Sequence, residues 1–331
     1  RLLGALGYNG YEAVFVFFVI SGFLIAGHSL RRWGSLAAID LRAFYVRRAA
    51  RILPCLLLLL AVLSLLHLAG VPNYIIDKPQ QSLGGALSSA LGLYLNWYEG
   101  RTGWLPGGWD VLWSLSIEEV FYLGFPLACL LLRDARALVL ALAALALSLP
   151  VTRMALSGNE IWQEKAYLPG MAAIATGVLA ALLANRVSPP KAIARLSAFL
   201  GAAGLVAVFA FGDVLWQAVG NGYMLVLTLS AALLVLGLHW NSREGARGLR
   251  GLGWLRSMGR MSYEIYLSHM FVVFAAVGLY HMLGGDVRFG AWWYPPVVLA
   301  CWAVGALWAR AYSLPCERAL RRRWSRRPSP A

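Results

Sequence analysis

Nine stretches of this chain are apolar over most of the length a helix needs to cross a lipid bilayer, and no other feature limits its fold so narrowly. They lie at about 8–28, 52–70, 112–132, 136–150, 167–185, 196–212, 219–239, 263–283 and 292–313. A hydrocarbon core ~30 Å thick takes ~20 residues at 1.5 Å per residue. The 136–150 stretch is the shortest, and Pro150 is read as closing it. In lipid the backbone must satisfy its own hydrogen bonds, which favours helices for such runs. The composition agrees: 60% of residues are hydrophobic and 13% charged, with a mean hydropathy of +0.65. Soluble domains carry about a quarter charged residues, so this chain has too little polar surface to cover itself in water. The expected fold class is all-α, a polytopic transmembrane helical bundle with nine spans in this chain.

Charge in the connections supplies a second, independent pattern. The 29 Lys and Arg outweigh 15 Asp and Glu, for a net charge of +14. With the 31–51 connection placed in the cytoplasm, only Arg1, Lys78, Arg101, Arg153, Lys165 and Arg288 fall outside. The remaining basic residues gather in alternate connections and in the tail, as the positive-inside rule requires. A basic excess spread this way does not form the single face that nucleic acid would need, so no nucleic-acid partner is expected. Membrane lipid is. The tail from Arg318 to Arg327 reads as a segment lying on the anionic inner leaflet. The expected organisation is one membrane domain over 1–315 and a basic cytoplasmic tail over 316–331, in a cell inner or plasma membrane. Nine spans with an inner tail put Arg1 outside, so the chain is expected to lack an upstream helix that would bring the bundle to ten.

Cys55, Cys129, Cys301 and Cys316 form no CxxC pair and stand near no histidine at metal-ligand spacing, so they read as small buried hydrophobes and no metal site is expected. The connection from Val71 to Asp110 is rich in glycine and tryptophan, including Trp97, Trp104 and Trp109. It reads either as an interfacial aromatic belt or as a wall for a sugar-like acceptor, since aromatic faces stack on sugar rings. Within it, Leu83–Tyr98 reads as interfacial or re-entrant.

Four strings carry polar groups into these apolar surroundings. The first, Val16–Ile25, sets Ser21 and Gly22 in mid-span, where small residues permit close helix packing. In the second, Phe44–Pro54, Arg48 and Arg51 share a helical face and suit phosphate binding, although anchoring at the inner boundary would also place them there. The third, Trp113–Tyr122, brings two carboxylates into a span. Glu118 shares a face with Ser114 and Tyr122, beside Trp113, and can act as acid, base or orienting group, or be an edge carboxylate held by a hydrogen bond. Glu119 is read as facing solvent. In the fourth, Gly259–Met270, Ser262, Tyr266 and His269 line one side of a helix, with Tyr263 beside them. A histidine there is either a packing residue or a base.

Together the four strings resemble the acyltransferase-3 family of integral membrane O-acyltransferases. Phe17–Ile25, Arg48–Pro54, Trp113–Tyr122 and Ser262–His269 stand in that family's order and span nearly the whole chain. The resemblance implies ten helices and transfer of an acyl group, acetyl above all, from cytoplasmic acyl-CoA to a hydroxyl of an extracytoplasmic glycan or glycolipid. It implies that Arg48 and Arg51 face the CoA phosphates and that Trp113, Ser114, Glu118 and Tyr122 line the transfer site. His269 is the candidate base within this chain, with Ser262, Tyr263 and Tyr266 as substrate contacts. Acyl-CoA is expected as donor, with no bound cofactor. Two departures stand out. The family's catalytic histidine belongs to the upstream helix, so the fragment alone is expected to be inactive. Its acidic position before the phenylalanine pair is Phe15 here, with Glu12 the nearest carboxylate. The alternative function is a transporter or flippase for a glycan- or lipid-linked solute.

Overall fold

In a computed structural model, residues 10–243, 252–285 and 287–325 are described. Arg1, Arg247, Arg250, Arg326, Arg327 and the first residues of the 8–28 stretch lie outside them. Every element among the described residues is helical. Seven helical stretches are long and apolar enough to cross a membrane, or eight if the bent pair Ala135–Leu147 and Leu149–Ala155 is one span. The difference from nine lies in Lys191–Ser242, a 52-residue stretch counted once. It turns back on itself at Gly220–Gly222, and its two arms, Lys191–Val219 and Tyr223–Arg243, run antiparallel. Gly201 meets Leu234 while Gly237 meets Ala198, so contacts advance in opposite directions along the arms. Large apolar side chains face outward, Leu131 at 81% exposure and Phe199 at 68%, as suits an acyl-chain solvent.

Several boundaries differ from the hydropathy reading for identifiable reasons. The second span begins at Leu41, not near residue 52, because the arginine-rich segment continues the same helix through Pro54 to Leu68. Pro150 does not close its helix. It sits near the start of Leu149–Ala155, where its missing N–H removes no helical bond, and the chain bends by 45° at Ser148. At the end, Tyr294–Trp308 passes through a π-helical turn, Ala309–Ser313, into Leu314–Ser325, which crosses the expected 315/316 division.

The chain forms two units, each assembled from several separate stretches of sequence. The first comprises the described residues of Arg1–Asp40, Gly92–Gly103 and Trp113–Gly248. Its central contact is α1 (Gly10–Trp33) against Tyr167–Arg186. Phe15, Phe18, Val19 and Ala26 are buried there with Ala172, Ala173, Ile174 and Val178. Two glycines set the approach: a Cβ on Gly22 would lie 2.0 Å from the Ile174 carbonyl oxygen, and one on Gly177 would lie 1.9 Å from that of Val19. Small residues substitute here for the hydrophobic drive that lipid does not supply.

The second unit comprises the described residues of Leu41–Leu91, Trp104–Leu112 and Leu249–Ala331. In it Leu41–Leu68 packs on Leu314–Ser325, and Ser262–Met282 packs on Tyr294–Trp308. Tyr74 stacks on Phe271 and meets Phe274 edge-on. Trp109 is fully buried and donates its Nε1–H to the Tyr74 carbonyl at 3.1 Å. It is therefore a core residue, whereas Trp104 here and Trp97 of the first unit are exposed. The Leu83–Tyr98 segment is broken at Leu93, whose φ is 62°, into Leu83–Leu91 and the start of Leu95–Thr102.

Candidate functional site

In the first unit the polar string of Trp113–Tyr122 lies on the helix Trp113–Leu131 and points inward. Trp113, Ser114, Glu118 and Tyr122 are all buried. Glu118 and Tyr122 are one turn apart, and the Tyr122 hydroxyl donates to Glu118 Oε1 at 3.2 Å. The Ser21 hydroxyl of α1 bonds the same tyrosine oxygen. Because Tyr122 spends its proton on the carboxylate, Ser21 is the donor to Tyr122. A chain of two hydroxyls thus ends on a carboxylate inside an apolar helix packing, where an unpaired charge is expensive. Glu119 is half-buried rather than solvated.

Around Trp113 the structure adds groups that hydropathy gave no reason to bring together. The indole meets Phe18 edge-on at 6.0 Å, and the Lys165 ammonium lies 5.8 Å from its ring centre. Lys165 pairs with Glu99 at 2.9 Å, the two side chains 2% and 0% exposed. Asn96 donates to the Lys165 carbonyl, and Ser116 accepts the Leu95 N–H. Lys165 is therefore no solvated loop charge. Arg153 is not one either: only 3% exposed, it lies over the rings of Tyr11 and Tyr223 and donates to the Gln163 carbonyl. The Tyr223 hydroxyl donates to Glu12 Oε1 at 3.2 Å.

The second unit holds the other two strings. Arg48 and Arg51 lie one turn apart on Leu41–Leu68, both half-buried. Arg51 is already engaged: Nη1 and Nη2 donate to Glu264 Oε1 and Oε2 at 2.5 and 2.9 Å. Glu317 approaches Nη1 at 3.6 Å, and the Ser313 hydroxyl donates to Glu264 Oε1 at 2.7 Å. Glu264 is fully buried, so a two-pronged guanidinium bond is the partner such a carboxylate requires. Ser313 closes the π-helical turn, a distortion that often marks functional positions.

Ser262 opens the helix Ser262–Met282. Tyr263 donates to the Ile52 carbonyl at 3.0 Å and Tyr266 to the Val111 carbonyl at 2.9 Å, so both hydroxyl protons are committed to backbone. His269 Nδ1 lies 2.6 Å from the Tyr266 carbonyl. A carbonyl oxygen only accepts, so Nδ1 carries the proton and Nε2 keeps the lone pair. Among the described residues no group of three or more His, Cys, Asp or Glu could hold a metal ion.

Of the positions singled out in the sequence, Trp113, Ser114, Glu118 and Tyr122 are brought together in one unit. Arg48, Arg51, Ser262, Tyr263, Tyr266 and His269 belong to the other. The pairings of Glu264, Glu99, Lys165 and Arg153 emerge only in three dimensions, as does the bond from Tyr223 to Glu12. The one available signal for Glu264 was a carboxylate just inside an apolar run.

A model of a family described as an acyltransferase domain matches residues 3–309. Among curated proteins, a Staphylococcus aureus (strain COL) protein provisionally named an O-acetyltransferase is 25% identical over 301 residues, covering 83% of this chain and 48% of the relative. The peptidoglycan O-acetyltransferase OatA of Listeria monocytogenes is 30% identical over 126 residues, 36% of this chain and 19% of that protein. The O-acetyltransferase OatA of S. aureus (strain NCTC 8325) is 32% identical over 130 residues, 36% of this chain and 20% of that protein. The chain spans about half the length of the first of these relatives. No solved structure matches it.

Proposed function

This chain belongs to the acyltransferase-domain family, and on that premise we propose that it is a membrane O-acyltransferase moving an acetyl group from cytoplasmic acyl-CoA to a hydroxyl of an extracytoplasmic glycan or glycolipid. The observation that carries the reading is the buried Ser21–Tyr122–Glu118 relay, set in a helix that begins with Trp113. A membrane scaffold has no use for a carboxylate held this way.

The reaction joins the acceptor oxygen to the thioester carbon and breaks the carbon–sulfur bond. The acceptor proton goes to a base, and the thiolate leaves as CoA once it is protonated. An alcohol is a weak nucleophile until that base takes its proton. Glu118, reached through Tyr122, orients the acceptor hydroxyl. In the second unit, His269 presents Nε2 with its lone pair and is the candidate base of this chain. Ser114 lines the same face as Glu118, with Trp113 beside it; Tyr263 and Tyr266 hold the helix on which His269 stands, and Ser262, at its start, is a substrate contact. The developing oxyanion is stabilised by donors in a water-poor site. Arg48 faces the donor's phosphates, with Arg51 fixed beside it by Glu264. The loop-charge pattern supports an inner membrane location with a cytoplasmic C-terminus.

The test uses the protein at its full natural length in proteoliposomes, given acetyl-labelled acetyl-CoA and a panel of saccharides. Alkali-labile label in a saccharide is expected. Movement of a saccharide across the vesicle without labelling would replace this reading with a transporter.

A further inference from the structure

At one end of the first unit, α1, Trp113–Leu131 and Tyr167–Arg186 all finish around a cleft of about 210 Å³. One water needs only ~10–15 Å³. Leu30, Leu138 and Leu182 form apolar walls, and Arg133 and Arg186 stand in the lining. No lining residue is acidic, and neither arginine has an ion-pair partner among the described residues. Helix C-termini favour nearby cations, which accounts for arginines at this level. It does not account for a concave cleft lined by two of them and free of carboxylates. Two guanidiniums in the lining of a cleft with apolar walls suit a phosphate ester carried on an uncharged chain.

Length adds a second constraint. Cys129 lines the cleft and follows Glu118 by eleven positions on the same helix, about 16 Å at 1.5 Å per residue. The pantetheine arm of CoA has roughly the backbone of four residues and reaches about 13–14 Å when extended. A phosphate at the inner end of the cleft, near Cys129, would therefore bring the thioester to within about one helical turn of the level of Glu118. By the loop-charge pattern this end faces the cytosol, where acyl-CoA is found.

We infer that the cleft is a phosphate site for the acyl-CoA donor, gripped by Arg133 and Arg186, with the pantetheine arm following Trp113–Leu131 toward Glu118. This rests on the acyl-CoA reading above.

The experiment measures equilibrium binding of labelled CoA to the full-length protein in neutral-lipid nanodiscs, with acetyl transfer followed separately. Arg133→Gln and Arg186→Gln should each weaken CoA binding about five- to tenfold, and more together, as charge-assisted contacts do. Arg133→Lys should retain part of the affinity. Arg136→Gln, an exposed neighbour outside the cleft, should change nothing. Pantetheine without phosphate should compete poorly. Unaltered CoA affinity in the double variant, with transfer intact in the wild type, would overturn the site and leave the acyltransferase reading standing. Loss of co-purified phosphatidylglycerol in the double variant with CoA binding unaffected would assign the cleft to lipid and also overturn it. A wild type that neither binds CoA nor transfers acetyl would overturn both.

Discussion

Arg51 and Glu264 stand 213 positions apart and meet as a two-pronged ion pair, Nη1–Oε1 at 2.5 Å and Nη2–Oε2 at 2.9 Å. The geometry changes what the Arg-x-x-Arg spacing means. The flat end of Arg51 is occupied by a protein carboxylate, so Arg51 ties Leu41–Leu68 to Ser262–Met282.

Removing Glu264 should therefore unfasten the second unit before it affects chemistry. Glu264→Ala is expected to cost about 3 kcal/mol, the low end for breaking a buried pair, because Arg51 keeps some contact with water. Thermal unfolding in detergent measures it. Arg51→Met combined with Glu264→Ala should lose less than the two single changes added together, and strict additivity would mean the pair contributes nothing.

The Lys165–Glu99 pair has no such relief, being 2% and 0% exposed. Lys165→Met leaves a buried carboxylate unpaired and is expected to cost about 3–5 kcal/mol. Lys165→Met with Glu99→Leu should recover most of that loss. Equal melting temperatures for Lys165→Met and the wild type would show that the carboxylate finds water instead.

Helix approach in the first unit gives a steric test. Gly22→Ala and Gly177→Ala place a methyl about 2 Å from a backbone carbonyl oxygen, and backbone yields poorly, so each should destabilise by about 1–3 kcal/mol. Gly124→Ala, in open space on Trp113–Leu131, should be neutral or stabilising by up to ~1 kcal/mol. A reversed order in thermal stability would refute the close packing.

What could be read in advance follows from the range of each interaction. Spans were legible because hydropathy is a local sum, and Glu118 with Tyr122 because a four-residue spacing fixes one helical face. The early start of Leu41–Leu68 was hidden because arginines break the apolar run while continuing the helix. Glu264 and Lys165 were missed because their partners are far away in sequence, and no periodicity encodes such a pairing. Trp109 illustrates the same limit: a tryptophan beside glycines looks like a surface residue until Tyr74 is seen to cover it.

The most direct measurement compares Glu118→Gln and Tyr122→Phe with the wild type at full natural length, following acetyl transfer to saccharide and CoA affinity side by side. The account predicts a fall in transfer of about 100-fold or more in Glu118→Gln, a smaller fall in Tyr122→Phe, and unchanged CoA affinity in both. Transfer at wild-type rate in Glu118→Gln would contradict it.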